Sequence, residues 1–144
     1  MNTIFQILYL TTVLYLIVLY FSLFKNVVRL RRQNKEAIGF SDEELHRAVR
    51  AHANFCETVP FCLLISLILY FNSYHFICFI AIFILCIGRK IHSKSISDLK
   101  ENLSNRKRGM QLTATAFFLL ILGILYHICN LLYYFTLSNF INTT

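Results

Sequence analysis

Between Arg50 and Pro60 the chain reads Arg-Ala-His-Ala-Asn-Phe-Cys-Glu-Thr-Val-Pro, and this run opens an apolar stretch that continues to Phe71. Cationic, amide and carboxylate groups at the mouth of a membrane helix are costly to desolvate, so they point to a functional site. At about 100° per residue, Glu43, His46, Arg47, Arg50, Asn54 and Glu57 fall within a stripe roughly 100° wide. They can face one ligand together. Guanidinium groups suit carboxylates in bidentate geometry, a carboxylate such as Glu57 suits an ammonium group, and Asn54 can both donate to and accept from a peptide unit. The ligand this describes is small, zwitterionic and net anionic, and glutathione fits it. The same side chains could instead neutralise one another between helices, as buried charges usually must. The stripe alone leaves both readings open.

The elements that position this stripe are membrane helices. Hydrophobic residues make up 57% of the sequence with a single proline, and the mean hydropathy is +0.59, far from a soluble domain of this size. Four spans are expected, at about 4–24, 51–71, 74–92 and 110–137; about 20 apolar residues cross the hydrocarbon core. The third is the shortest, and Arg89 and Lys90 can snorkel from its end. No small-residue cleavage site follows the first segment, so it is read as retained. Ser41 followed by Glu44 resembles a capping box, which starts the second helix before the membrane and sets the stripe at its mouth.

Charge placement predicts topology. Of the 14 Lys and Arg residues, seven cluster between Lys25 and Arg50 and seven between Arg89 and Arg108. Under the positive-inside rule both basic loops are cytoplasmic and both termini lie on the opposite side. The net charge of +7 is then topological, with contact to acidic membrane lipids. No basic module interleaved with aromatics is present for nucleic acid. Five cysteines lie inside apolar segments without paired spacing, which argues against a disulfide framework or a metal site and for packing roles. His75 and His127 read as packing or interfacial residues. The fold class expected is all-α, a single integral-membrane four-helix bundle over residues 1–144.

Four segments carry a resemblance to a known family. They are Val27-Val28-Arg29-Leu30-Arg31; Arg50-Ala51-His52-Ala53-Asn54-Phe55-x-Glu57-x-Val59-Pro60; Gly88-Arg89-x-x-His92; and Arg106-x-x-Gly109-Met110-x-x-Thr113. In this order and spacing, over roughly residues 25 to 120, the chain resembles the MAPEG family, the membrane-associated proteins in eicosanoid and glutathione metabolism that include microsomal glutathione transferases. It looks closest to the small bacterial inner-membrane branch, which implies that membrane rather than the endoplasmic reticulum.

The resemblance implies a homotrimer with each site formed between subunits. It puts Arg50, Asn54 and Glu57 on the glutathione backbone and His52 against ligand or a neighbouring subunit. Either Arg29 or Arg31 matches the basic residue after the first helix, and loop length leaves the choice open. Arg89 and His92 match the end of the third helix, and Arg106 corresponds to the arginine that holds the thiolate in enzymatic members. Glutathione is then a co-substrate and no metal is expected. The chemistry implied is addition of the thiolate to a lipophilic electrophile from the bilayer, or peroxidase turnover. The bacterial branch is not uniformly enzymatic, so activity stays open. Thr58 stands where relatives commonly have an aromatic residue, and Ile91 and Ser93 flank His92 without the tyrosines found there in relatives. Two other classes compete. A non-catalytic scaffold or lipid-binding protein of the same fold ranks first among them, and a small transporter ranks last because inverted repeats and broken helices are absent.

Overall fold

The computed structural model describes residues 2–39, 42–100 and 102–143. Four helices follow one another: α1 (Asn2–Asn34), α2 (Glu43–Phe71), α3 (His75–Ser97) and α4 (Leu103–Thr143). All four are long and apolar enough to cross a membrane. The protein is an integral, multi-pass membrane protein. The helices run beyond about 30 Å of hydrocarbon at their basic ends, and Tyr74 is the N-cap of α3, just outside the helix. At 33 residues and 1.5 Å per residue, α1 is about 50 Å long against about 30 Å of hydrocarbon. The extra turns at the basic ends carry the charged groups.

The ends of the helices set the position of the polar residues. Lys35 adopts a left-handed φ of 54° and the Glu36 N–H returns to the Arg31 carbonyl at 3.1 Å, the closure of a Schellman turn. The α2 cap is made by Asp42, whose carboxylate accepts from Leu45 N at 2.9 Å. Ser41, expected in that role, lies outside the described residues. Asp42 does the same work one residue on, helped by Glu43 and Glu44 in the first turn, where acids meet the positive end of the helix. Asn102 caps α4 by accepting from Asn105 N at 3.1 Å, while its carbonyl receives Ser95 Oγ at 2.8 Å. That bond ties the start of α4 to the end of α3.

Among the described residues α3 touches all three other helices, α4 packs chiefly on α3, and α1 and α4 do not meet. The central place of α3 follows from its small and apolar inward positions: Cys78, Ala81, Ile82, Leu85 and Gly88 are all buried. Most polar side chains in the span are bonded, although the buried His75 Nδ1 and Arg89 Nε have no hydrogen-bond partner among the described residues. Tyr9 donates to Ser66 Oγ at 2.9 Å, Gln6 pairs with His75 at 3.0 Å, and Tyr74 meets His127 at 3.3 Å. All five cysteines are free; Cys62, Cys78 and Cys86 are buried, and Cys56 and Cys129 face outward.

Glycines let α3 and α4 approach each other closely. A Cβ added to Gly109 would lie 2.7 Å from His92 Cβ and 2.9 Å from the Gly88 carbonyl oxygen. Small residues let membrane helices approach backbone to backbone. Gly109→Ala is therefore expected to push α4 off α3, destabilising the protein by about 1–3 kcal/mol. Gly123→Ala is the comparison: its nearest neighbour, at 2.8 Å, is the rotatable tip of Leu69. Thermal unfolding in detergent should rank Gly109→Ala well below Gly123→Ala, and equal midpoints would show that the α3–α4 contact tolerates separation.

Candidate functional site

A polar concavity opens at the basic end of the bundle, between α2, α3 and α4. Its volume is about 410 Å³, inside the ~300–1,000 Å³ usual for small-molecule sites. One wall is the polar face of α2: Glu43, His46, Arg47, Arg50 and Asn54. The opposite wall comes from His92 and Ile96 on α3 and from Arg106 and Met110 on α4. Three guanidinium groups thus surround the space against one carboxylate. That carboxylate is already engaged: Arg47 Nε donates to Glu43 at 2.9 Å, one turn apart on α2.

Beneath the cavity lies Arg89, the largest fully buried side chain, 1% exposed. Its guanidinium ties three helices together. It donates to Asn54 Oδ1 at 2.5 Å and Thr58 Oγ1 at 3.2 Å on α2, and to Thr113 Oγ1 at 2.5 Å on α4. All three acceptors are neutral. The two ion pairs among the described residues are Arg29–Glu44 and Arg47–Glu43, so the buried cation has no carboxylate partner there. Both threonine hydroxyls give their own protons to the backbone, Thr58 to the Asn54 carbonyl at 2.7 Å and Thr113 to the Gly109 carbonyl at 2.9 Å. They are left as pure acceptors for Arg89.

The same bond decides which way Asn54 points. An arginine only donates, so it must meet the amide oxygen, and the NH₂ of Asn54 is left for the cavity that Asn54 lines. Toward a ligand, Asn54 is a donor; the dual role expected from sequence is narrowed. His92 is fixed similarly. Its Nδ1 lies 3.2 Å from the Arg106 carbonyl, which only accepts, so Nδ1 carries the proton. This bond pins the first turn of α4 against α3 and places Arg106 on the cavity wall.

Of the residues singled out by sequence, Arg50, Asn54, His92 and Arg106 come together on the cavity, with Arg89 as its buried floor. Four others lie elsewhere in the single chain. Glu57 is exposed on α2, about one turn beyond Asn54. The stripe expected to face one ligand is thus divided, because Asn54 is drawn inward by Arg89 while Glu57 clears the edge of the cavity. His52 turns toward α1, with ring centroids 5.2 Å from Tyr20 and 6.1 Å from Phe24. Arg29 pairs with Glu44 at 3.4 Å on the outer surface and also donates to Asn26 and Gln33. Arg31 holds the loop after α1 through the carbonyls of Glu36, Ala37 and Gly39.

Glu43, His46 and Arg47 also line the site, and so do Ile96 and Met110, to which the sequence assigned no role. The first three were visible as members of the α2 stripe. Thr58, noted in the sequence for the aromatic ring it lacks, is an acceptor for Arg89. Among the described residues no cluster of three or more His, Cys, Asp or Glu could hold a metal ion.

Three of the four motif segments therefore meet around one cavity and its floor, and the α1 segment stays outside it. The family profile described as MAPEG family matches residues 9–126. The chain belongs to the MAPEG family. That family includes glutathione transferases and peroxidases as well as other members. In this MAPEG protein the match spans the cavity and the Arg89 clamp, and ends within α4. No curated protein sequence matches the chain.

Proposed function

We propose that the protein binds glutathione at the α2–α3–α4 cavity and presents its thiolate to lipophilic electrophiles, as a membrane-bound transferase or peroxidase. The observation that carries this reading is the donor set of the cavity. Arg47, Arg50 and Arg106 with the Asn54 amide suit two carboxylates and peptide carbonyls, and Glu43 suits an ammonium. A homotrimer belongs to this reading. Glu57 stands exposed at the head of an apolar α2 surface that continues through Phe61, Leu64 and Ile68. A carboxylate facing lipid is costly, and a neighbouring subunit covering that face would bring Glu57, and with it His52, Arg29 or Arg31, toward a shared site. The membrane is that of a bacterial inner membrane, with both basic loops cytoplasmic and both termini opposite. The electrophile reaches the thiolate sideways from the bilayer.

Calorimetry of glutathione on the purified protein tests the reading. Arg50→Ala should weaken binding about 10–100-fold, the loss of a charge-assisted pair worth ~1.5–3 kcal/mol. Glu57→Ala should weaken it too if subunits share the site. Unchanged affinity in Arg50→Ala removes the assignment. A wild type that binds no glutathione supports the scaffold reading, which the Glu43–Arg47 pair already favours by neutralising part of the stripe within the chain.

A further inference from the structure

A second concavity, independent of the polar site, lies in the membrane-spanning region between α1 and α3. Its volume is about 310 Å³, and Tyr15, Phe83, Ile87 and Lys90 shape it together with Thr11 and Thr12. The two threonines add no free donor. Thr11 gives its proton to the Ile7 carbonyl and Thr12 to the Leu8 carbonyl, each at 2.8 Å. The groove is therefore apolar along its length and cationic at one end, where Lys90 Nζ sits 5.7 Å from the centre of the Tyr15 ring.

That lysine does not reach away from the membrane. The helices α1 and α3 run parallel, and Gln6 opposite His75 with Phe5 opposite Phe76 sets their register. Tyr15 is then level with about residue 85, roughly one turn nearer the middle of α3 than Lys90. Helical side chains lean toward their own N-terminus, and Lys90 follows that lean to cover the ring. Facing α1 carries no charge before Lys25. Lys90 belongs to neither ion pair of the described residues, and a cation–π contact alone is worth only about 0.5–2 kcal/mol. An ammonium at this depth calls for an anion. Lys94, one turn on, is also exposed but lines a separate concavity with Asp98, so Lys90 is the cation of this groove. The Tyr15 hydroxyl, without a hydrogen bond among the described residues, adds a neutral donor.

We propose that this groove is a site for one acidic phospholipid, its phosphate held by Lys90 and the Tyr15 hydroxyl and one acyl chain lying along Ile87 and Phe83. A phosphodiester with its flanking ester oxygens offers more acceptors than the single carboxylate of a fatty acid, enough to meet the ammonium and the hydroxyl together.

Native mass spectrometry of the protein released from nanodiscs of mixed phosphatidylglycerol and phosphatidylcholine tests it. Wild type should retain one phosphatidylglycerol per chain. Lys90→Gln should lower that retention at least ten-fold, and Lys100→Gln, which removes the same charge from an exposed turn beyond α3, should not. Ile87→Trp, which fills the groove, should also expel the lipid with the thermal midpoint unchanged. Equal losses in Lys90→Gln and Lys100→Gln would mean a diffuse basic surface and overturn the site. So would retention of added oleate in preference to phosphatidylglycerol, or cross-links showing a second copy of the chain seated in the groove.

Discussion

Arg89→Met should leave the bundle folded, with a thermal midpoint within a few degrees of wild type, yet weaken glutathione binding at least ten-fold. The two halves of this result have different physical origins. A guanidinium taken out of water loses several kcal/mol of hydration, which bonds to three neutral oxygens recover only in part; replacing such a buried charge by an apolar side chain of similar volume is often neutral or stabilising. The threonine partners tolerate the change, since Thr58 and Thr113 keep their bonds to backbone carbonyls. Asn54 does not. Its amide oxygen would lose the partner that faces it inward, and a buried acceptor without a bond costs about 1–3 kcal/mol. The amide is then expected to turn its oxygen toward the wet cavity, where it repels the acceptors of an anionic ligand. The positive potential under the site goes at the same time.

Arg89→Ala is the contrast, because it also leaves a void among three helices. Truncations of that size cost about 2–5 kcal/mol, so stability and binding should fall together. Circular dichroism melts in detergent beside calorimetry separate the cases. If Arg89→Met melts as early as Arg89→Ala, the guanidinium is needed to hold the helices, and its effect on binding is secondary. If Arg89→Met binds glutathione as wild type does, the orientation of Asn54 is irrelevant to the ligand.

How these residues were or were not legible in the sequence has a common cause. Span number and order follow from local hydropathy, a property of the chain itself, and the fold has four helices long and apolar enough to cross a membrane. Arg50 and Asn54 share a cavity because both sit on the same face of one helix, which periodicity shows directly. Depth and partner are different matters. Arg89 and Lys90 are neighbours that both looked able to snorkel, yet consecutive helical residues diverge by about 100°. One turns inward to acceptors on α2 and α4, the other outward over α1. Which goes inward depends on Asn54, Thr58 and Thr113, 31 or more residues away for the first two and 24 for the third. No local pattern contains that. Glu57 makes the same point in reverse: the wheel puts it on one stripe with Arg50 and Asn54, but cannot show that the cavity stops one turn short of it. Gly88 and Gly109 read as motif letters until their backbones are seen to touch.

Arg106→Ala should abolish the ultraviolet thiolate band of bound glutathione near neutral pH while leaving much of the binding intact. A free thiol with a pKa of about 8.5 is only a few per cent ionised there. Lowering that pKa by about two units requires roughly 2.7 kcal/mol of preference for the anion, and a close guanidinium in a partly dry crevice is of the right size to supply it. Arg106 stands in the first turn of α4, after the Asn102 cap, where the helix end adds positive potential. The bond from His92 to its carbonyl fixes that turn against the cavity. The carboxylates of the tripeptide would still meet Arg47 and Arg50, so affinity is expected to fall less than ten-fold. Arg106→Lys should restore part of the band, since a point charge on a flexible stem can approach sulfur but holds no fixed geometry. A band that survives in Arg106→Ala would place the thiolate beside another cation of the cavity, with Arg50 the next to remove. A wild type that binds glutathione without any band would be a binder lacking activation, and transferase chemistry would then have no nucleophile at neutral pH.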